Sequence, residues 1–300
     1  MPQGLIVKAL SGYYYVQPEG EEADTLVQCR ARGIFKKKNM TPLVGDRVFY
    51  EPTENGEGTV TELMPRSSEL IRPPVSNVEQ AILVFSLTEP ELNFQLLDKF
   101  LVHIENAGLS SVICLTKADF AEDNERLKEL ADKVQEIYGR IGYEVVMTSS
   151  RKGTGTERAA ELLAGRISVF SGQSGVGKSS LLNRLLPGLS LETAEISMKL
   201  GRGRHTTRHV ELIALPGGGY VADTPGFSQL DFLQMETEDL GRCFKEMARI
   251  SSNCRFRGCT HEQEPGCAVK EALAEGEIAP SRYEHYISFL QEMKDKKRRY

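Results

Sequence analysis

The sequence predicts a multidomain protein: an N-terminal all-β barrel, a central α/β domain carrying a phosphate loop, and a C-terminal α-helical segment. Three observations predict it. Short apolar strands broken by Gly, Pro and Asn fill the first seventy or so residues. Apolar strands then alternate with helical stretches up to about residue 230, with G-x-x-x-x-G-K-S among them. Beyond residue 231 the pattern is helical, interrupted by a crowd of Cys and His.

Composition sets the frame. The 300 residues are enough for two or three domains, and the 40% hydrophobic and 26% charged fractions are those of a soluble globular chain. No apolar run reaches the roughly eighteen residues of a membrane span. The start, MPQGLIVKALSG, lacks the charged and apolar regions of a signal peptide, so a cytoplasmic protein is expected. A net charge of −5 argues against wrapping nucleic acid around the whole chain. Basic runs at 36-KKK-38, 199-KLGRGRHTTRH-209 and 295-DKKRRY-300 are local, and such runs also make ordinary solvated faces. Six cysteines in a cytosolic chain are not expected to form disulfides.

Residues 1–72 read as five strands: GLIVKAL, YYYVQP, TLVQCRARG, DRVFYEP and GEGTVTEL. Five strands in that length predict a small barrel of the oligonucleotide-binding (OB) type, with an SH3-like barrel as the alternative. Pro73-Pro74 marks a linker into residues 73–230. There AILVFSL, VICLT, EVVMTS and ISVFSG alternate with helical stretches such as 122-EDNERLKELADKVQEIYG-139, the pattern of a parallel α/β sheet. Residues 231–300 form the helical third part.

The phosphate loop is 172-GQSGVGKS-179, placed directly after ISVFS and before the apolar helix KSSLLNRLL. Gly172, Gln173, Ser174, Gly175, Val176 and Gly177 let backbone N–H groups curl around a β-phosphate, and the helix that follows, from Lys178 through Ser180, adds its dipole. Lys178 would neutralise β/γ-phosphate charge and Ser179 would ligate Mg²⁺. Downstream, 220-YVADTPGF-227 is a strand ending in D-x-P-G. Asp223 is placed to hold Mg²⁺ through water, and the N–H of Gly226 to sense a γ-phosphate. Between them runs the long polar stretch 188–209, in which Thr206 or Thr207 would supply a second Mg²⁺ ligand.

The base-reading candidate, Thr116-Lys117-Ala118-Asp119, comes before the phosphate loop. Asp119 would accept hydrogen bonds from guanine N1 and N2, which adenine cannot donate, with Lys117 over the base plane. Thr148, Ser149 and Ser150, one strand later, would pack beside the base and offer N–H to O6. The order is base turn, Ser loop, phosphate loop, D-x-P-G. Moving the first two elements to the end restores the ordinary GTPase order, and such circular permutation is possible where domain termini lie close together.

Four potential ligands crowd into fourteen residues: Cys254-x4-Cys259-x-His261-x5-Cys267. Three thiolates and an imidazole match a closed Cys3His zinc site, structural rather than catalytic. Arg255 and Arg257 within the loop either face solvent or meet RNA phosphate.

Together with VGDRV at 44–48, these motifs resemble the RsgA family, circularly permuted GTPases that depend on the small ribosomal subunit. The resemblance covers nearly the whole chain. It implies an OB barrel, a permuted GTPase domain and a zinc segment, with GTP/GDP, Mg²⁺ and one structural Zn²⁺ as ligands. It also implies binding to 16S rRNA and the 30S subunit in late maturation, hydrolysis stimulated by that subunit, no membrane contact and a monomeric chain. Two departures stand out. Thr116 replaces the more usual Asn, so a strut between base and phosphate loops is expected to be lost. Phe227 follows D-x-P-G where many GTPases place a water-orienting Gln. Intrinsic hydrolysis should then be slow, with His205 the polar candidate, although a solvated loop His reads the same way. Two rivals remain open: an ATP-using phosphate-loop kinase, and an RNA-binding protein that uses nucleotide only as a structural ligand.

Overall fold

The computed structural model describes residues 1–22, 25–37, 40–71, 74–186, 210–223, 232 and 235–297. Asp223 is described in its backbone alone, and the side chains of Lys36 and Ile71 are likewise outside the description. Thr206, Thr207, His205, Gly226 and Phe227 lie outside the described residues.

Five strands make the barrel: β1 (Gln3–Leu10), β2 (Tyr13–Pro18), β3 (Val27–Ala31), β4 (Arg47–Pro52) and β5 (Gly58–Leu63). They pair β1-β2-β3-β5-β4, and β4 closes back onto β1. Only the β3–β5 pairing is parallel. That closed order is the oligonucleotide-binding type rather than the SH3 type. Alternate residues point inward, so Ile6, Val16, Cys29, Val48 and Val60 fill the barrel. The short helix α1 (Ile34–Lys37) follows β3. Asp46 of the VGDRV segment is wholly buried, and it accepts from Leu43 N–H and from Arg66 Nε and Nη2 at 2.7–2.8 Å. That bidentate pair ties the barrel to the hairpin β6 (Glu69–Ile71) and β7 (Pro74–Ser76), whose Ser76 N–H bonds Val44 O.

The second layer system contains β8 (Gln80–Ser86), α2 (Phe94–Asn106), β9 (Ser110–Thr116), α3 (Glu125–Val134), β10 (Glu144–Met147) and α4 (Thr156–Leu163). It continues with β11 (Ile167–Ser171), α5 (Lys178–Leu185), β12 (Glu211–Ala214) and β13 (Tyr220–Asp223). The strand order is β10-β9-β8-β11-β13-β12. Five strands are parallel and β12 is antiparallel to β13. The antiparallel β12 departs from the parallel sheet that strand–helix alternation predicts, because residues 215–219 form a hairpin turn between two short strands. α3 begins at Glu125 rather than 122, since the Asn124 side chain caps it by accepting from Leu127 N–H.

The barrel and this sheet are one continuous hydrogen-bonded surface. β1 pairs with β12 at Lys8–Glu211, and the two side chains form a 2.9 Å ion pair. The last part packs α6 (Lys245–Ile250), α7 (Ala268–Ala274) and α8 (Pro280–Lys297) around Phe244, Met247, Val269, Phe289 and Leu290. α8 reaches the sheet system through Arg282, which is buried. It donates to Asp98 Oδ1 of α2 (2.6 Å) and to both carboxylate oxygens of Glu246 in α6 (2.7 and 3.0 Å). His285 Nδ1 completes the cluster at 2.6 Å from Asp98 Oδ2.

Candidate nucleotide site and metal centre

Parallel strands all point their carboxyl ends the same way, so β9, β10 and β11 deliver their following loops to one edge of the sheet. This is how segments distant in sequence become one site. The loop after β11 is the phosphate loop. Gly172 has φ +144°, and a Cβ there would lie 2.1 Å from the Val84 carbonyl, so the close turn off the strand admits only glycine. Lys178, the first residue of α5, folds back so that Nζ donates to Gly172 O (2.8 Å) and Gln173 O (2.6 Å). Burial pushes its ammonium below the ordinary lysine value. Ser179 and Ser180 follow half-buried on the first turn of α5, beyond Ser174, Gly175, Val176 and Gly177.

Thr116 ends β9, and its hydroxyl lies 2.5 Å from Val176 O and 3.2 Å from Phe85 O. A hydroxyl has one proton, and the shorter contact takes it. The strut expected to vanish with Asn is therefore present: threonine reaches the phosphate-loop backbone directly, because β9 and β11 flank β8 closely enough for a two-carbon side chain. Lys117 adopts a left-handed turn (φ 60°) and its Nζ donates to Glu89 O. Ala118 N–H bonds Thr148 O at 3.0 Å, locking the base turn to the loop after β10.

Asp119 is 7% exposed. Ser149 Oγ donates to its Oδ1 at 2.7 Å, and Arg151 Nη2 lies 2.9 Å from Oδ2. The Ser149 hydrogen bond, acting against desolvation and helped by backbone and the Arg151 charge, holds this carboxyl below its usual value. It is ionised throughout the neutral range. The three residues 148–150 are not equivalent, contrary to the sequence reading. Thr148 is fully buried, its hydroxyl 3.4 Å from Cys114 Sγ and its N–H bonded to Leu115 O. Ser149 N–H bonds Thr154 O. Neither backbone donor is free for a base, which leaves Ser150. Gly155 closes this loop at φ +71°, where a Cβ would strike Met147 O at 1.9 Å. Arg151 and the Val176 carbonyl were not anticipated. Arg151 reads as one more basic loop residue, and a backbone acceptor leaves no mark in sequence.

The four Cys/His ligand atoms lie within 4.8 Å of one another. Cys254 Sγ and Cys267 Sγ are 4.0 Å apart, and His261 Nδ1 is 3.7 and 3.4 Å from them. Zinc–sulfur bonds of about 2.3 Å in a tetrahedron require sulfurs about 3.8 Å apart, so Cys254, His261 and Cys267 already stand at the spacing a Zn²⁺ needs, with Cys259 beside them. Burial lowers the His261 pKa, favouring the neutral ring that a metal needs. The loop backbone is held from two sides. Tyr283 and Tyr286 of α8 donate to His261 O (2.7 Å) and Thr260 O (2.6 Å). Glu264 accepts from Thr260 Oγ1 and from the N–H groups of Thr260, Glu262 and Gln263. Burial alone would raise the Glu264 pKa, but these bonds bring it down to about 2.

With both centres in place, the comparisons decide the family. The RsgA GTPase family model matches residues 63–233, and the RsgA N-terminal domain model matches residues 3–60. The chain belongs to the RsgA family of GTPases. It is 53% identical over 300 residues to the small ribosomal subunit biogenesis GTPase RsgA of Bacillus velezensis and 51% identical to that of Bacillus subtilis, each aligned over the full length of both chains. Among solved structures it is similar to YloQ, described as a circularly permuted GTPase. That match has a TM-score of 0.85 and 44% identity, covering 99% of this chain and 96% of that one. YjeQ from Thermotoga maritima matches with a TM-score of 0.86 and 40% identity over 97% and 98% of the two chains. The RsgA-family assignment accounts for the motif order: the sheet is that of a circularly permuted GTPase, with β9 and β10 preceding the phosphate-loop strand β11. No helix among the described residues is long and apolar enough to cross a membrane.

Proposed function

We propose that this GTPase acts on the small (30S) ribosomal subunit late in its maturation, contacts 16S rRNA through the barrel and the zinc segment, and is stimulated by the subunit. The observation that carries the nucleotide part is the Thr116–Val176 bond. It fixes the base turn against the phosphate loop, so the Asp119 carboxylate and the 172–179 cradle face one ligand. The subunit part rests on the names of relatives that align over their full length.

Within this reading the working units are residues 1–72, 73–230 and 231–300. Asp119, oriented by Ser149, accepts guanine N1–H and N2–H, Ser150 N–H donates to O6, and Lys117 leaves Glu89 O to cover the base. Lys178 exchanges its loop carbonyls for β- and γ-phosphate oxygens, a switch that costs little because the ammonium is already in position. Mg²⁺ supplies charge neutralisation of the phosphates when bound, held by Ser179, by Thr206 or Thr207, and by Asp223 through water. Gly226 N–H senses the γ-phosphate, and His205 is the polar group proposed to orient water in place of Phe227. Cys254, Cys259, His261 and Cys267 hold one structural Zn²⁺. The protein works as a cytoplasmic monomer.

Lys178→Ala tests the phosphate site. GDP binding should fall at least about a hundredfold, the scale of a charge-assisted contact to phosphate, with an unchanged circular dichroism spectrum. GTP hydrolysis at the parent rate in this variant would overturn the assignment.

A further inference from the structure

Asp119 presents its two oxygens differently. Oδ1 accepts from Ser149 Oγ, whereas Oδ2 is sealed from solvent and has no hydrogen-bond donor properly aimed at it. The group that faces Oδ2 is the guanidinium of Arg151. Its Nη2 lies 2.9 Å away, near enough for an ion pair but not aligned as a hydrogen bond. The Arg151 side chain is 73% exposed, and its guanidinium carbon stands 5.7 Å from the ring centre of Phe120, itself 52% exposed. One end of this ion pair is rigid and buried; the other is a long side chain in solvent.

We infer that Arg151 is a stand-in for guanine on Asp119, neutralising the carboxylate while the base site is empty and leaving it when the base arrives. The inference rests on Asp119 being the base reader. A guanidinium and the N1–H/N2–H edge of guanine present the same thing, two parallel N–H donors on a planar frame. One carboxylate whose Oδ1 already serves Ser149 has room for one such edge. The misaligned pair is the weaker of the two, so exchange replaces an undirected ion pair with directed hydrogen bonds. Phe120 offers the displaced cation a ring face beside the site. Adenine, with an acceptor at N1, has nothing to exchange for the guanidinium and meets an occupied carboxylate. Arg151 thus sharpens the choice of base from outside the base contacts.

The test is the association rate of fluorescent ribose-tagged GDP with the full-length protein and its Arg151→Gln variant. Long-range attraction for the diphosphate predicts slower association when a cation is removed. Displacement predicts the opposite sign: association about two- to fivefold faster, the range set by an ion pair with one exposed partner. Added salt should narrow the gap. Association unchanged or slower in Arg151→Gln overturns the inference. A second arm uses Asp119→Asn with the xanthosine analogue, whose 2-carbonyl accepts from the amide. The uncharged amide of that variant does not hold Arg151, so adding Arg151→Gln should bring no acceleration there. An equal acceleration in that background also overturns the inference. An Asp119→Asn protein with no preference for xanthosine over guanosine nucleotide would instead remove the base-reading role itself, independently of the Arg151 result.

Discussion

The Thr116 hydroxyl bridges two loops that lie sixty residues apart in the chain. An Asn would reach further, but the spacing here suits the shorter side chain. Replacing Thr116 with Val keeps the shape and removes the donor, leaving the buried Val176 carbonyl without it. Thr116→Val should cost about 1–2 kcal/mol of stability and weaken GDP binding about fivefold or more, read by denaturant unfolding and nucleotide titration. GDP affinity equal to the parent's would show that the strut holds nothing in place. At this scale the sequence was informative where chemistry demands a residue type at a fixed spacing, as in 172-GQSGVGKS-179 and Asp119. It was silent on Val176, whose contribution is a backbone oxygen, and on Arg151, whose partner is set by tertiary geometry. The strut expected to be lost at Thr116 is present, because the fold brings β9 close enough to the phosphate loop for a threonine hydroxyl to reach its backbone.

Among the elements, the 254–267 loop was legible as a ligand set and its supports were not. Ligand spacing is local, whereas Tyr283, Tyr286 and Glu264 shape the loop through contacts that no spacing records. The sulfurs belong to the same packed cluster as Phe244, Tyr286 and Phe289, so the candidate ligand loop and the core are continuous. Purified protein should carry one zinc per chain. Removing it with a strong chelator should lower the melting temperature and raise amide exchange across 254–267 and the adjoining face of α8, while β8–β11 keep their protection. Chelation that leaves exchange in 254–267 unchanged would contradict a structural metal. The antiparallel β12 is illegible for a different reason: its four residues and the 215–219 turn carry no strong pattern beside the regular strand–helix alternation that predicts a parallel sheet.

For the molecule as a whole, the three-part plan was readable from composition shifts, but the joints between parts were not. Nothing in a strand pattern says that β1 extends the sheet through β12, or that the barrel therefore abuts the strand that follows residues 187–209. Nor does an Arg in a charged helix announce burial, yet Arg282 is 1% exposed between Asp98 and Glu246. Breaking such a cluster by removing one partner typically costs about 3–5 kcal/mol, so α2, α6 and α8 are held in one arrangement. A candidate guanine site at one sheet edge, continuous on one side with an oligonucleotide-binding-type barrel and joined on the other to a helical part carrying a candidate zinc cluster, is an arrangement suited to sense a large partner. The central claim is that this partner is the small ribosomal subunit. The direct measurement is phosphate release from GTP by the full-length protein with and without purified 30S subunits, with ATP as the control nucleotide. The account predicts slow release alone, at least a tenfold rise with subunits and none from ATP. Equal GTP turnover with and without subunits, or ATP turnover matching it, would contradict the account.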